Sequence, residues 1–475
     1  MSTVNRIVKN IGSLYVANIL HKVLTLVLFV FIARYLGDEG LGQYSFIIAF
    51  VALFNIIPTF GLDSVIIRDV ARDRGLASRY ISNASLLRTG LYILIFPPLV
   101  LSLSYLGYPS EIRTLVYIYL LSAFFTGISL VFRSTFLAHE KMEYEAAIII
   151  LNRVTVVPLS VAALILGYGL KGLIVVLAVA GFANFAFSFL ILKRMVSLKF
   201  QPDLGLTRTL LKLALPFVLL GAFNVLYANI DIVMLSTMMG DRVTGWYNAA
   251  FRLLNALLFI PVVFTGSIFP TMCRYFTSSR DSLSFAYRKT FQYLSIIAIP
   301  LAVGSFFLAD KIILKIYGSE FLNSIAALQI LSWGIILKFL NNLLLTTLVS
   351  MNMEKTNAKI VAFGVSLNVL LNFILIPRYS YIGASVATIA AEVAFFVLAY
   401  YAISRRLGTL PILRIVSKPL VSSLVMAGAL YTLKDVASLF LLIPLGAVLY
   451  FGTLFLIRGF TKEDFDLFKK AARMP

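Results

Sequence analysis

Long apolar runs with few charges recur along the whole chain, and they constrain its fold more than any single motif does. A membrane-spanning helix needs ~20 mainly apolar residues, and about fourteen runs reach that length. They lie at residues 11–35, 41–61, 84–107, 114–137, 146–167, 170–192, 209–238, 243–271, 285–309, 323–350, 357–376, 381–404, 416–433 and 438–457. The runs are continuous and do not alternate with period two, which excludes a transmembrane β-barrel. We therefore expect an all-α integral membrane protein with about fourteen transmembrane helices.

The composition agrees with this class. Of the 475 residues, 60% are hydrophobic and 13% are charged, whereas soluble domains carry roughly 25% charged residues. The first run is too long for a signal-peptide core, so we expect it to be retained. One cysteine and two histidines exclude an intramolecular disulfide and make a metal cluster unexpected. The short loops leave no room for a soluble catalytic domain, and no P-loop is present, so we expect a transporter without a cofactor.

The distribution of basic residues predicts the orientation. Placing the N-terminus in the cytoplasm puts 29 of the 41 Lys and Arg residues on the inner side and 7 on the outer side. By the positive-inside rule, both termini are cytoplasmic and the protein is a multi-pass protein of the cell membrane. The basic loops then face anionic lipid and not nucleic acid. Residues 63–83 predict an amphipathic helix on the inner membrane surface, and Arg88 and Arg133 are expected to be ordinary headgroup anchors.

An internal repeat predicts two lobes. The pattern G-D-x-x-x-G-x-Y occurs at residues 37–44 and again at 240–247, which is 203 residues later. Two further matches, Met142-Glu143 with Met353-Glu354 and Gly172 with Gly383, share an offset of 211. We expect six-helix lobes at 1–205 and 206–410, related by a pseudo-twofold axis along the membrane normal, with a substrate path between them. Residues 411–475 would add two helices and a cytoplasmic tail.

Charges within the predicted spans indicate a polar interior. They are Lys22, Arg34, Arg153, Asp231, Arg252, Lys338 and Glu392. Each would cost ~2.5–3.5 kcal/mol at mid-bilayer in contact with lipid, although Arg34 and Arg153 are close enough to helix ends to reach headgroups instead. Helical spacing aligns four asparagines with these charges: Asn18, Asn224, Asn248 and Asn255. A cavity with net positive charge favours an anion, and phosphate or pyrophosphate suits Lys and Arg donors.

Several segments resemble the polysaccharide-transporter flippases, which belong to the multidrug/oligosaccharidyl-lipid/polysaccharide exporter superfamily. They read A-R-Y-L-G at 33–37, F-G-L-D at 60–63, R-D-V-A-R at 68–72, G-W-Y-N-A-A at 245–250 and I-F-P at 268–270. The resemblance extends over residues 1–410. It implies a flippase that carries a polyprenyl- or dolichyl-(pyro)phosphate-linked oligosaccharide from the cytoplasmic to the outer leaflet by alternating access. Lys22, Arg34 and Arg252 resemble the cations that bind pyrophosphate in the family, and Arg153 and Lys338 are added from their depth alone.

The sequence leaves alternatives open. Asp231 and Glu392 are either structural partners of the cations or sites that couple transport to Na⁺ or H⁺; the membrane potential is a further candidate driving force. Carboxylates in the membrane also fit a multidrug exporter of the same superfamily, whose substrates are usually cations. Asp464-Phe465-Asp466 matches a D-x-D pattern of glycosyltransferases, although solvated charge in the tail explains it more simply. We expect the protein to act as a monomer.

Overall fold

The computed structural model describes residues 3–59 and 61–460, with side chains for residues 20, 22–59, 61–215, 218 and 221–460. All regular secondary structure in these ranges is helical. The helices are α1 Thr3–Thr59, α2 Leu62–Arg72, α3 Ala77–Tyr105, α4 Ser110–Ala138, α5 Met142–Ile165, α6 Gly169–Met195, α7 Leu204–Met239, α8 Asp241–Leu257, α9 Phe259–Ser278, α10 Arg280–Phe307, α11 Ala309–Ile316, α12 Ser324–Ser350, α13 Glu354–Leu407, α14 Ile412–Leu433 and α15 Leu439–Leu456. The D-x-D pattern at 464–466 lies outside the described residues.

The spans agree with the prediction from hydropathy. Twelve helical segments in the described residues are long and apolar enough to cross a membrane. Two of them, Lys22–Arg72 and Glu354–Leu407, are long enough for two crossings each. Each is broken by a non-helical residue, Gly37 in α1 and Ser380 in α13. The all-α membrane fold with about fourteen transmembrane helices is therefore confirmed.

The chain divides into two compact units, Met1–Asn248 and Ala249–Pro475. Unit 1 contains α1 to α7 and the beginning of α8, so the division falls later in the sequence than the repeat predicts. The predicted lobe boundaries at 205 and 410, and the symmetry axis, stay predictions.

Helix α2 of unit 1 is part of the protein core. Leu62, Val65, Ile66 and Val70 are buried in an apolar cluster with residues of α4 such as Phe132. The predicted amphipathic helix exists, but its apolar face packs against protein and not against lipid, because α4 offers it a complementary apolar surface.

Arg88 and Arg133 of unit 1 are not headgroup anchors, which corrects the expectation from sequence. The Arg88 side chain is fully buried; its Nε donates to the Pro58 carbonyl over 2.9 Å, and further contacts reach the Gly127 carbonyl and Asp63. Arg133 forms a two-pronged pair with Glu145. Because a buried cation is costly without partners, these contacts explain why both guanidinium groups stay inside.

Unit 2 includes the additional helix pair. Helices α14 and α15 share an apolar cluster with α10 through residues such as Ile299, Met426 and Leu442. The buried hydroxyl of Tyr450 donates to the carbonyl of Ile296 over 2.7 Å. These contacts place the last two helices in the core of unit 2, where they stabilise α10.

Candidate functional site

The two copies of the G-D-x-x-x-G-x-Y motif adopt the same backbone turn. Gly37 has φ 68° and ψ −170°, and Gly240 has φ 87° and ψ 171°. Positive φ values of this kind are readily adopted only by glycine. The repeat found in the sequence is therefore a repeat of conformation, and both copies lie within unit 1.

The two copies contact each other reciprocally. A Cβ atom placed on Gly42 would lie 1.7 Å from the backbone oxygen of Asp241, and one placed on Gly245 would lie 1.9 Å from that of Asp38. No side chain fits at either distance. The second glycine of each motif is therefore required by the backbone of the other copy, which explains the shared spacing.

The carboxylates of the two motifs have different surroundings. Asp38 accepts hydrogen bonds from Arg242 Nε over 2.8 Å and from Trp246 Nε1 over 2.7 Å. Asp241 accepts from Ser236 over 2.5 Å and from the Gln43 side chain, with Glu39 close by. One side of the contact therefore holds an ion pair and the other a pair of carboxylates.

Two of the predicted intramembrane residues lie directly beside this contact. Asn248 is buried and donates to the Ser45 hydroxyl. Asp231 is buried too, and it accepts a hydrogen bond from the Tyr247 hydroxyl over 2.7 Å. Both residues therefore take part in the packing of unit 1.

The remaining candidates in unit 1 differ in exposure. Lys22, Arg34 and Asn224 are exposed, and Arg153 is half-buried within electrostatic range of the Tyr44 and Tyr119 hydroxyls. The Asn18 side chain lies outside the described residues. The assignment of these side chains to pyrophosphate stays a prediction.

In unit 2 the structure brings two candidates together. Lys338 Nζ lies 3.0 Å from Glu392 Oε1, with 14% and 4% of the two side chains exposed. Asn341 Nδ2 donates to Glu392 Oε2 over 2.7 Å, and the ammonium group lies 5.6 Å from the centre of the Phe251 ring. Of the two roles left open for Glu392, that of a partner to a cation is thus present.

Arg252 and Asn255 lie on α8 and are both half-buried. Arg252 is within electrostatic range of the Tyr317 hydroxyl, and this hydroxyl donates to the Ala249 carbonyl over 3.2 Å. Burial raises the pKa of Tyr317, which lies outside the spans. The Tyr317 hydroxyl therefore stays neutral beside the guanidinium group at physiological pH.

A cavity that the sequence did not predict lies between α5 and α6 of unit 1. It has a volume of about 120 Å³ and combines polar and apolar side chains. Its lining residues are Ile148, Leu151, Asn152, Thr155, Ala180, Ala183, Asn184 and Phe187. We call it the α5–α6 slot. Asparagine and threonine within apolar runs were the only available signal, and their spacing does not reveal that two helices turn them towards one space.

Comparisons with known proteins agree with the fold and with the motifs. The sequence profile of the family described as "Polysaccharide biosynthesis protein" matches residues 7–276. Two relatives come from Haloferax volcanii. The probable flippase AglR is 26% identical over 215 residues, covering 44% of each chain. The probable low-salt glycan biosynthesis flippase Agl15 is 25% identical over 229 residues, covering 48% of each chain.

The chain thus spans less than half the length of these two relatives. The fold resembles that of the lipid II flippase MurJ in an inward closed conformation, with a TM-score of 0.76, 19% identity, and coverage of 94% of this chain and 98% of the other. The family profile covers more than half of the sequence, including both copies of the turn motif. The chain therefore belongs to the polysaccharide biosynthesis protein family of membrane proteins.

Proposed function

We propose that the protein is a flippase for a lipid-linked oligosaccharide, which it moves from the cytoplasmic to the outer leaflet of the cell membrane. The carrier is a polyprenyl or dolichyl lipid joined through phosphate or pyrophosphate. The names of the Haloferax relatives and the MurJ-like fold support this class of cargo. Cytoplasmic termini, a monomeric state and alternating access are parts of the same proposal.

The observation that carries the proposal is the charge balance inside the spans. The two intramembrane carboxylates have protein partners, Tyr247 for Asp231 and the Lys338–Asn341 pair for Glu392. The seven ionisable residues in the predicted spans are five cations and two carboxylates, which leaves a net positive charge. A surplus of cations in a low-dielectric region favours an anionic headgroup, and Lys and Arg donors suit phosphate oxygens.

We assign the headgroup phosphates to Lys22, Arg34 and Arg153 in unit 1 and to Arg252 and Lys338 in unit 2. Asn224 and Asn255 supply further polar groups within their own units. Asp231 and Glu392 are proposed to couple the cycle to Na⁺, H⁺ or the membrane potential. If the double variant Asp231→Asn, Glu392→Gln transports with unchanged ion dependence, the coupling assignment is wrong.

The test is transport of a defined lipid-pyrophosphate oligosaccharide in proteoliposomes. We expect Lys22→Ala and Arg252→Ala each to reduce the rate at least tenfold, which corresponds to about 1.4 kcal/mol of lost interaction. Lys171→Ala is the matched control, because Lys171 is exposed at the start of α6 and should leave the rate unchanged. Full activity in both Lys22→Ala and Arg252→Ala would overturn the assignment of these two residues to the phosphates.

The same vesicles discriminate the cationic-drug exporter. Its substrates would be repelled by the surplus of cations, so we expect no efflux of an ethidium-like cation. Ethidium transport without transport of the lipid-linked sugar would replace the proposed function with drug export.

A further inference from the structure

The α5–α6 slot is lined almost wholly by apolar surface, with three polar side chains set into it. Asn152 and Thr155 of α5 and Asn184 of α6 line it together with Ile148 and Phe187. The Asn184 Oδ1 atom accepts from the Ser129 hydroxyl over 3.2 Å and from Ser188 over 3.4 Å. These contacts orient the amide, so that its Nδ2 donor is the part offered to a ligand.

The slot opens at the surface of unit 1 within the membrane-spanning part. Thr155 is exposed and Leu151 is 47% exposed, and both lie near the middle of α5. Polar side chains at this depth need a polar partner, because hydrocarbon offers none. A ligand that only supplies an alkyl chain would offer no hydrogen bond to the Asn152 amide, the Thr155 hydroxyl or the Asn184 Nδ2 donor.

In unit 2 a side chain fills the corresponding position. The turns before α5 and α13 match in conformation at Glu140, with φ 59°, and Asn352, with φ 56°. When the units are aligned at these turns, Asn152 corresponds to Gly364. Gly169, with φ 57°, and Ser380, with φ 55°, also match. When the units are aligned at these residues, Asn184 corresponds to Phe395.

In unit 2 the Phe395 ring packs directly onto Gly364, since a Cβ atom there would lie 2.1 Å from the ring. The helix pair is closed by an aromatic side chain in unit 2. In unit 1 two asparagines leave it open.

We propose that the α5–α6 slot is a subsite for one sugar ring of the transported headgroup. The proposal rests on the proposed function, which it extends from the phosphate to the sugar. Amide and hydroxyl groups exchange hydrogen bonds with sugar hydroxyls, and the C–H face of a pyranose packs on apolar and aromatic side chains such as Ile148 and Phe187. A small number of polar groups set in an apolar lining is typical of small-molecule sites.

The size of the slot limits the ligand to a single ring. Its volume is about 120 Å³. A ring enters with its hydroxyl edge while the rest of the headgroup stays outside.

The decisive experiment compares binding of two probes to the purified full-length protein. One is a sugar-free polyprenyl pyrophosphate, and the other is the same lipid carrying one hexose, tested as glucose, galactose, mannose or N-acetylglucosamine. For the preferred sugar we expect wild type to bind the hexose lipid about tenfold more tightly, which corresponds to one or two net hydrogen bonds. Asn184→Phe, which imitates Phe395 of unit 2, should reduce this ratio to about one and leave sugar-free binding unchanged.

Two variants serve as controls. Leu190→Phe adds an aromatic ring to the same helix at a position 58% exposed outside the slot, and it should keep the ratio. Asn152→Leu removes the amide at similar volume, and it should reduce the ratio even if Asn184→Phe fails to fold. An unchanged ratio in both slot variants would overturn the subsite, and an equal loss for both lipids would assign the slot to the carrier tail instead.

A second readout separates the subsite from the flippase function. In a Cys273→Ser background, which removes the chain's one cysteine, Thr155→Cys is labelled with a thiol reagent in the presence of each free hexose. We expect the preferred sugar to slow labelling at least twofold and to leave a Leu190→Cys control unaffected. Protection without binding of either lipid would contradict the flippase but keep the sugar subsite, whereas lipid binding without protection by any hexose and without a sugar-dependent ratio would do the reverse.

Discussion

The paired helices α5 and α6 of unit 1 and the two halves of α13 in unit 2 start from matching turns but fill their interiors differently. In unit 1 the pair encloses a slot lined by Asn152 and Asn184, whereas in unit 2 Phe395 closes on Gly364. Between α12 and α13 the difference is reversed, because unit 2 buries the polar Lys338–Glu392 pair there. When the two units are aligned at their matching turns, Lys338 and Glu392 correspond to the small residues Thr126 and Gly181 of unit 1.

The difference shows which parts of the repeat tolerate change. At the turn motif, the second glycine of each copy packs against the backbone of the other copy, so Gly42 and Gly245 are both retained. Inside the helix pairs, side chains meet side chains, and the two units differ in the size and polarity of the residues at corresponding positions. The two units therefore share a scaffold and differ in the polar groups that they enclose.

The largest effect is expected at Arg88, which sharpens the contrast between a polar and an apolar interior. Replacing it with leucine removes a donor from the Pro58 and Gly127 carbonyls and leaves Asp63 with Ser134 alone. Breaking a buried charge contact of this kind costs about 3–5 kcal/mol. Thermal unfolding in detergent should show a large decrease in the midpoint for Arg88→Leu.

The control for Arg88 is Arg68→Leu, because Arg68 is 49% exposed and contacts Asp69. Exposed pairs contribute about 0–1 kcal/mol, so its midpoint should hardly move. Equal midpoints for the two variants would show that burial of Arg88 contributes no stability.

In unit 2 the corresponding test concerns the Lys338–Glu392 pair. Lys338→Met or Glu392→Gln alone removes one partner from a largely buried pair, and we expect a loss of about 3 kcal/mol. The double variant should lose much less, since no uncompensated charge remains inside. A double-mutant cycle from thermal or denaturant unfolding measures the coupling.

The cycle also shows whether the contact between Lys338 and Glu392 itself stabilises unit 2. Additive losses would mean that the two side chains stabilise unit 2 independently and that the contact between them is not what holds them. The contrast between a paired polar interior in unit 2 and the small residues Thr126 and Gly181 in unit 1 would then not rest on an ion pair.

The turn motif gives the next smaller effect. Gly245→Ala puts a Cβ atom 1.9 Å from the Asp38 oxygen, and we expect a loss of about 2 kcal/mol from overpacking. Gly90→Ala on α3 is its control within unit 1, because nothing lies within 4 Å of an added Cβ there. The motif contact would be adaptable, and the comparison weaker, if both variants unfold at the wild-type temperature.

How much of this is visible in the sequence depends on the kind of interaction. The spans follow from hydropathy, because a backbone in hydrocarbon must satisfy its own hydrogen bonds. The repeat predicts both turn glycines, but it pairs Met142 with Met353, whereas the turn conformations pair Lys141 with Met353. A one-residue change of register cannot be read from two matching letters.

Side-chain partners across helices are harder to predict. The local sequence around Arg88 is the same whether its side chain reaches lipid headgroups or is buried. Only the hydrogen bonds to the Pro58 carbonyl of α1 and the Gly127 carbonyl of α4 show that it is buried. Similarly, the α2 sequence is amphipathic whether its apolar face meets lipid or α4. The slot depends on which faces of α5 and α6 meet, a property of packing that periodicity in one helix does not contain.

The smallest effect is expected where the connection between α6 and α7 is fixed to α3. Arg79 contacts Asp203, whose Oδ1 also accepts from the Leu206 backbone N–H over 3.1 Å. The Arg79 hydrogen bond holds the pKa of Asp203 below its ordinary value of 3.8. Stability from this group is therefore fully present above about pH 4 and is lost as the pH falls through the lower folded pKa. We expect the unfolding midpoint of wild type to exceed that of Asp203→Asn slightly at pH 7, with a gap that narrows below pH ~4. A gap that widens on acidification would show that the carboxylate is destabilising when charged and that Arg79 does not fix this connection.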